Sequence, residues 1–574
     1  MIFKATCTGL SGNFGVSGMP QGQEQIDAEI DSAPVRQLDA LIVGAGVSGL
    51  YQLHRLLELG LDVQAFDAAE GVGGTWYWNQ YPGAVLDSES WAYAYFFSDE
   101  LLQEWNWSSE FAPAAEIERY LNFVADRLNL RPHIRLGRRV TAAAFDDQQD
   151  LWTVTTDDGQ CVQARYLVTA VGFLSATYLP DIPGIGDFKG QSFHTARWPR
   201  EPIDFTGKRV GVIGTGSTGV QIISSIAGKC RHLKVFQRTP NYCLPLRNAP
   251  IDERRMQEIK DSYPEIIEIC KTTLTGFPHK PDPRGTFDVS AEEREAFFEE
   301  IWQERGFKKW FGNFKDIMVN REANELYAEF VRRKIRERVK DPAVAEKLCP
   351  TYHFGAKRPP METNFYEAFN RDDVELVDVK ESPIECITES GVKTTDAEHE
   401  LDVLIFATGF DAVTGEFERL DIRGIDGETL KEHWRDGPAS FMGVLVAGFP
   451  NLFLGGGAVF SNFPRCAEAT GDLVSRCIAH ARKTGATRLE VDAEQEKAWG
   501  DHAGELASKV LRSDVGSWFF GNNIPGKPEV FLFYAGGMVK YREKIEELAA
   551  DEFRRLKFSG GERDLAEQRS QRGR

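Results

Sequence analysis

The chain has 574 residues, 42% of them hydrophobic, with 53 glycines and a formal net charge of −20 at pH 7. That is too long for one core and suits two or three α/β domains. No long basic run precedes the extreme C-terminus, which argues against a nucleic-acid groove or an anionic membrane surface as partner. The nine cysteines include no Cys-x-x-Cys pair, so a metal site and a redox disulfide are both disfavoured and a cytoplasmic compartment is expected.

Residues 1–36 are polar and glycine-rich and read as a flexible extension, not a signal peptide. The first apolar run, Leu38 to Val43, ends at Gly44-Ala-Gly46-Val-Ser-Gly49. Leu50, Leu53, Leu56 and Leu57 follow at helical spacing, and Val63 to Phe66 predicts a second strand closing on Asp67. In this strand, turn, helix, strand order Gly44 makes the turn, Gly46 admits a pyrophosphate and Gly49 lets the helix pack. The phosphate belongs at the helix N-terminus, and Asp67 accepts from both ribose hydroxyls. The ligand is FAD or NAD. Downstream, Gly73-Gly74-Thr75-Trp76-Tyr-Trp78 runs through Tyr81-Pro82-Gly83 to Asp87, a set of rings and one carboxylate suited to cover a flat heterocycle.

Leu151 to Gly172 predicts a hairpin turning at Asp157-Asp158-Gly159. Leu401 to Asp411 repeats its design of a strand followed by small residues. The two together suggest that the first domain is interrupted and resumes after an insertion.

A second motif, Gly214-Thr-Gly216-Ser217-Thr218-Gly219, follows the strand Lys208 to Ile213. Asp67 lies 23 residues beyond Gly44, and the same step from Gly214 reaches Gln237, followed by Arg238 and Thr239. A cation where the first site has an acid points to a 2′-phosphate, hence NADPH. Between the two motifs lies Phe188-Lys-Gly190-Gln-Ser-Phe-His194-Thr-Ala-Arg-Trp198-Pro199, a stiff, bulky connection able to couple one nucleotide site to the other.

With these residues assembled, the chain resembles a type I Baeyer–Villiger monooxygenase from about residue 38 to 555. Phe188, Gly190, His194, Trp198 and Pro199 meet the fixed positions of the family fingerprint, and Gly73 to Asp87 meets a second signature. The resemblance implies an α/β fold of two Rossmann-like dinucleotide-binding domains, with FAD in the first and NADPH in the second. The expected boundaries are 37–178 for the FAD domain and 179–388 for the NADPH domain, whose helical insertion spans about 250–343. The FAD domain then resumes over 389–558, and residues 559–574 form a flexible tail.

It further implies conversion of a ketone to an ester or lactone with NADPH and O2, through a C4a-peroxyflavin kept as an anion. Arg358 is implied as the cation beside that anion, Asp87 as the carboxylate orienting Arg358, and Lys357 as a second 2′-phosphate contact beside Arg238. Trp518 is implied to bind the nicotinamide nucleotide from a mobile loop, and His194 to couple domains. Position implies that Phe460, Phe463 and Phe533 line the ketone pocket, where the run Leu454 to Cys466 departs from the family in its glycines and in Arg465. No metal is expected, and a monomer or weak oligomer is. The rival readings are an oxygenase of amines or sulfides, which would not need Arg358, and a catalytically idle nucleotide sensor.

Overall fold

The computed structural model describes residues 36–509, 511 and 516–561. Apart from Arg36 and residues 559–561, the expected N-terminal extension and C-terminal tail lie outside the described residues.

Strand β1 (Gln37–Val43), helix α1 (Val47–Glu58) and strand β2 (Val63–Phe66) form the first unit. Every residue of β2 is buried, as expected of an inner parallel strand covered on both faces. β1 runs parallel to β2, and β3 (Ile134–Arg135) extends the sheet beyond β2. On the other side β4 (Val140–Asp146), β5 (Leu151–Thr156) and β6 (Cys161–Thr169) form an antiparallel meander, and β6 lies parallel against β1. Its tight turn contains Gly159 at φ +82°, a conformation that costs glycine nothing.

The chain then builds a second, wholly parallel sheet. Its elements are β7 (Gln191–His194), β8 (Arg209–Ile213), α2 (Ser217–Ile226), β9 (His232–Gln237), β10 (Val374–Asp378) and β11 (Val403–Phe406). The strand order is β10-β9-β8-β11-β7, so the fingerprint segment supplies the edge strand. This corrects the expected assignment of Leu401 to Asp411 to the first domain and the boundary at 388/389. β11 pairs with β8 and β7, with Phe406 opposite Ile213 and His194. The physical reason lies at the strand ends: a Cβ on Gly214 would meet the Ala407 carbonyl at 2.5 Å, and one on Gly44 would overlap the Ala170 carbonyl. Each glycine turn thus has its own small-residue strand end, and the pattern alone does not say which belongs to which.

β12 (Asp421–Arg423) returns to the first sheet beside β4, and β13 (Leu452–Leu454) pairs with the end of β6. Helix α3 (Phe463–Thr484) crosses α1 closely at Gly471, where a Cβ would meet the Tyr51 ring at 2.5 Å.

The insertion is helical, as its pattern predicts, and several of its helices start on capping side chains. Asp252 caps Glu253–Asp261, Ser290 and Glu293 form a reciprocal capping box on Ala291–Gln303, and Asn320 caps Arg321–Arg338. Its early residues Met256, Ile259 and Tyr263 join the core of the first domain, while Phe298, Trp302 and Phe330 join that of the second. The insertion therefore straddles both domains. Among the described residues no helix is long and apolar enough to cross a membrane, and no cluster of side chains could hold a metal ion.

Candidate active site

Both glycine turns open into one continuous cavity of about 700 Å³. Gly44, Gly46, Asp67, Thr75, Trp76 and Asp87 line it from the first domain, and Gly214, Gly216, Ser217, Thr218, Arg238, Thr239, Lys357 and Arg358 from the second. Gly49 and Gly219 are set back from it. A Cβ on either would overlap the carbonyl of the first glycine in its own turn, Gly44 or Gly214, so they let helix approach strand as the motif requires.

The fit to two dinucleotides can be tested on the turns. A Cβ on Gly216 would meet no protein atom within 4 Å, so bare backbone at the start of α2 faces the cavity. Gly46 lines the cavity as well, and its Cβ would also meet the Gly74 Cα at 3.2 Å. Gly46 is therefore needed for contact with the Gly73-Gly74 loop, which closes over the first turn. The N-termini of α1 and α2 present unpaired N–H groups, and their dipoles favour an anion.

Asp67 is buried, and its two carboxylate oxygens accept from the Ala45 and Ala69 amides at 2.7 and 2.8 Å. Burial pushes its carboxyl up, and those two donors pull it back. The carboxylate is held at the end of β2, where a ribose would lie. Across the cavity Lys357 is pushed down to about 8, first by burial and then by the cations Arg238 and Lys380. Three positive groups so close repel one another unless an anion joins them. The residues present thus fit FAD at the first turn and NADP at the second.

The two domains meet at Arg358. Its guanidinium contacts the buried Asp87 carboxylate at 2.6 Å and donates to the Ser217 hydroxyl at 3.0 Å. It also lies 5.1 Å from the Phe307 ring centroid. Gln221, from α2, donates to Asp87 at 3.3 Å and accepts from the Tyr81 hydroxyl at 2.7 Å. Burial pushes the Asp87 carboxyl up, while Arg358 and then Gln221 oppose it. A cation is thereby fixed where both nucleotide sites converge.

Phe460, Phe463, Phe533 and Trp518 come together as a ring wall. Trp518 stacks on Phe173 at 6.2 Å, Phe463 lies 5.3 Å from Phe173, and Phe460 is 6.0 Å from Phe533. Arg465 does not join them. It is fully buried on the far side of its helix, over the Phe96 ring at 3.3 Å and near Glu468 at 3.4 Å.

The fingerprint residues lie off the cavity. Phe188 packs against the apolar cluster that contains Ile387 and Leu404, and a Cβ on Gly190 would strike the Phe188 ring at 2.5 Å. The Nδ1 of His194 accepts from the Ala196 amide at 3.1 Å, leaving Nε2–H to donate to the Tyr178 carbonyl at 3.3 Å. Burial lowers the pKa of His194, consistent with a neutral, structural imidazole. Trp198 is buried against Phe193 at 5.1 Å, beside Pro199.

Sequence reasoning missed Lys380, Gln221, Phe173, Phe277 and Phe307. Lys380 follows β10, and the pairing of Asp378 with Gln237 brings it beside Arg238. Only the sheet register carries that signal.

A profile of flavin-binding monooxygenase-like proteins matches residues 39–245. A curated "Baeyer-Villiger monooxygenase" of Pseudooceanicola batsensis is 43% identical over 88% of this chain and 94% of its own length. The phenazine N-monooxygenase PhzNO1 of Lysobacter antibioticus is 44% identical over 89% and 95% respectively. The crystal structure of OTEMO in complex with FAD and NADP superposes with a TM-score of 0.88 at 45% identity, covering 91% of this chain and 99% of that one. Together with the fingerprint, the two dinucleotide turns and the Arg358–Asp87 pair at their junction, these likenesses show that the chain belongs to the type I Baeyer–Villiger monooxygenases.

Proposed function

We propose that the enzyme oxidises an uncharged, hydrophobic ketone to an ester or lactone, with FAD at the first glycine turn and NADPH at the second. The observation that carries this reading is the Arg358–Asp87 ion pair, 2.6 Å long and set between the two turns. When bound, FAD would supply the oxygen-activating chemistry, with its electrons drawn from NADPH. Arg358 holds negative charge on the attacking oxygen, as a fixed charge in a site with little water can. Asp87 and Ser217 aim the guanidinium and Gln221 steadies Asp87, so little reorganisation is required when charge develops. Arg238, Lys357 and Lys380 grip the 2′-phosphate, and Asp67 holds the ribose of the flavin nucleotide.

The carbonyl of the ketone faces Arg358, and its carbon skeleton lies against the wall of Phe173, Phe460, Phe463, Trp518 and Phe533. Those five side chains are all aromatic rings and pair with no charge, so a carboxylate held against them on the far end of the ketone would be desolvated at high cost. Transfer of oxygen to an amine or sulfide uses an electrophilic oxygen and gains nothing from a guanidinium there, which favours the ketone. The enzyme acts as a monomer or weak oligomer in the cytoplasm, where NADPH and O2 are both available.

The test is a panel of neutral ketones, amines and sulfides with NADPH and labelled O2, the products identified by mass spectrometry. One labelled oxygen in an ester or lactone supports the reading. Labelled N- or S-oxides with no ester would refute it.

A further inference from the structure

The fingerprint segment carries Arg197 at a position its pattern leaves free, a second arginine, Arg200, directly follows Pro199, and both reach across to the flavin side. Arg197 sits over the Trp78 ring with 4.6 Å to the centroid, and Arg200 over the Tyr77 ring with 3.9 Å. Arg200 also grips Glu118 with two hydrogen bonds of 2.9 and 2.8 Å. Arg197 is further fixed by donating to the Ser175 carbonyl at 3.2 Å and to its neighbour Ala196 at 2.8 Å. Tyr77 and Trp78 stand edge to face at 5.1 Å. They close the short helix Thr75–Trp78 that begins at Gly74, the glycine touching Gly46.

The other end of the segment touches the NADPH side. Thr195 donates to the Thr218 hydroxyl at 3.2 Å, in the first turn of α2, and β7 is paired with β11. A continuous line of contacts therefore runs from the first glycine turn through Gly74, Trp78 and Arg197 to Thr195 and the second turn.

We propose that Arg197 and Arg200 are positioning residues that clamp the fingerprint segment onto Trp78 and Tyr77, so that NADP at the second turn stabilises flavin at the first. The proposal rests on the placement of the two cofactors given above. Without the clamp the two sites remain formed but become energetically independent. By reciprocity, each nucleotide then loses the same factor of affinity that it lent the other. A stacked guanidinium is worth about threefold to thirtyfold in such a coupling.

The experiment uses the purified holoenzyme and two readouts that need no turnover. One is the temperature at which flavin fluorescence is unmasked on heating, with and without saturating NADP+. The other is the dissociation constant of NADP+ from a titration of flavin absorbance. In the wild type NADP+ should raise the flavin-release temperature. In R197Q/R200Q most of that NADP+-linked rise should vanish, and NADP+ should bind about threefold to thirtyfold more weakly per arginine. A purely structural role would lower the release temperature without NADP+ and leave the NADP+-linked rise intact, and that result overturns the proposal. If the double variant does not retain flavin, Arg200→Lys, which keeps the charge but not the planar stack, should show an intermediate rise. A full wild-type rise in that variant also overturns it. A wild-type protein that holds no flavin would instead refute the cofactor placement.

Discussion

If Lys357, crowded by Arg238 and Lys380, meets the 2′-phosphate as proposed, NADP+ affinity should depend on pH. In the free enzyme Lys357 is held at about 8 by burial, Arg238 and Lys380. Because this value is depressed, the lysine is charged below pH 8 and loses its proton above it. A 2′-phosphate favours the charged form, so binding above pH 8 must first recover that proton. The apparent dissociation constant should then rise by about a factor of ten per pH unit, following ordinary proton linkage. It should be nearly level from pH 7 to 7.5, about tenfold weaker at pH 9, and level off once the neutral lysine binds as well as it can. The ceiling is the worth of one charge-assisted hydrogen bond, roughly 1.5–3 kcal/mol, or about tenfold to a hundredfold. Arg238→Ala removes one of the two neighbouring cations, so the rise should begin at higher pH even as overall affinity falls. Lys357→Met should abolish the slope and bind weakly throughout, and NAD+ should show no slope at all. The assay is titration of the oxidised enzyme with NADP+ at constant ionic strength, read by flavin absorbance from pH 6.5 to 10. An NADP+ dissociation constant unchanged between pH 7 and 9.5 would refute the placement of Lys357 on the phosphate.

Arg358→Ala should cost at least about a hundredfold in ester formation, since removing a positioned charge from such a site is worth about 2.7–4 kcal/mol. Anaerobic flavin reduction by NADPH should persist in stopped-flow traces, and Asp87→Ala should show the same split more mildly. Wild-type enzyme should prefer NADPH to NADH by at least about tenfold, through the charge-assisted contacts of Arg238, Lys357 and Lys380; equal steady-state use of both would contradict that. Gly46→Ala should lower flavin retention, because the new methyl would press on Gly74, 3.2 Å away. Stoichiometric flavin in that variant would show that the first turn tolerates the contact.

The sequence made the local units readable and left their assembly open. Both βαβ turns could be read because turn, packing and phosphate approach are fixed within a few residues. The parallel pairings of β1 with β2 and of β8 with β9 follow the same local order. The Arg358–Asp87 pair could not be derived that way, since 271 residues separate the two partners; the family resemblance supplied it. Likewise β11 was misassigned because a strand followed by small residues serves either sheet equally well. Lys380, Gln221 and Phe173 were missed for a related reason. Gln221 and Phe173 reach the cavity, and Lys380 reaches Lys357, only through a strand register or a helix contact, and neither leaves a mark in linear spacing.

This difference bears on how the enzyme keeps its two cofactors in step. In the proposed reading, the residues legible from spacing each serve one nucleotide: Gly44 to Asp67 the flavin, Gly214 to Arg238 the nicotinamide nucleotide. The contacts revealed by folding tie the second turn to Arg358, to Asp87 and to the fingerprint segment. Gln221 starts on α2 and ends on Asp87, Ser217 takes Arg358 from the second turn, and Thr195 joins β7 to Thr218. The insertion, with cores on both domains, braces the same junction through Phe307. A Rossmann unit binds its ligand alone, so nothing in either motif requires these contacts. They are needed only because the oxygen chemistry must wait for both nucleotides, and a cation held jointly by Asp87 and Ser217 is correctly aimed only when the two domains are docked.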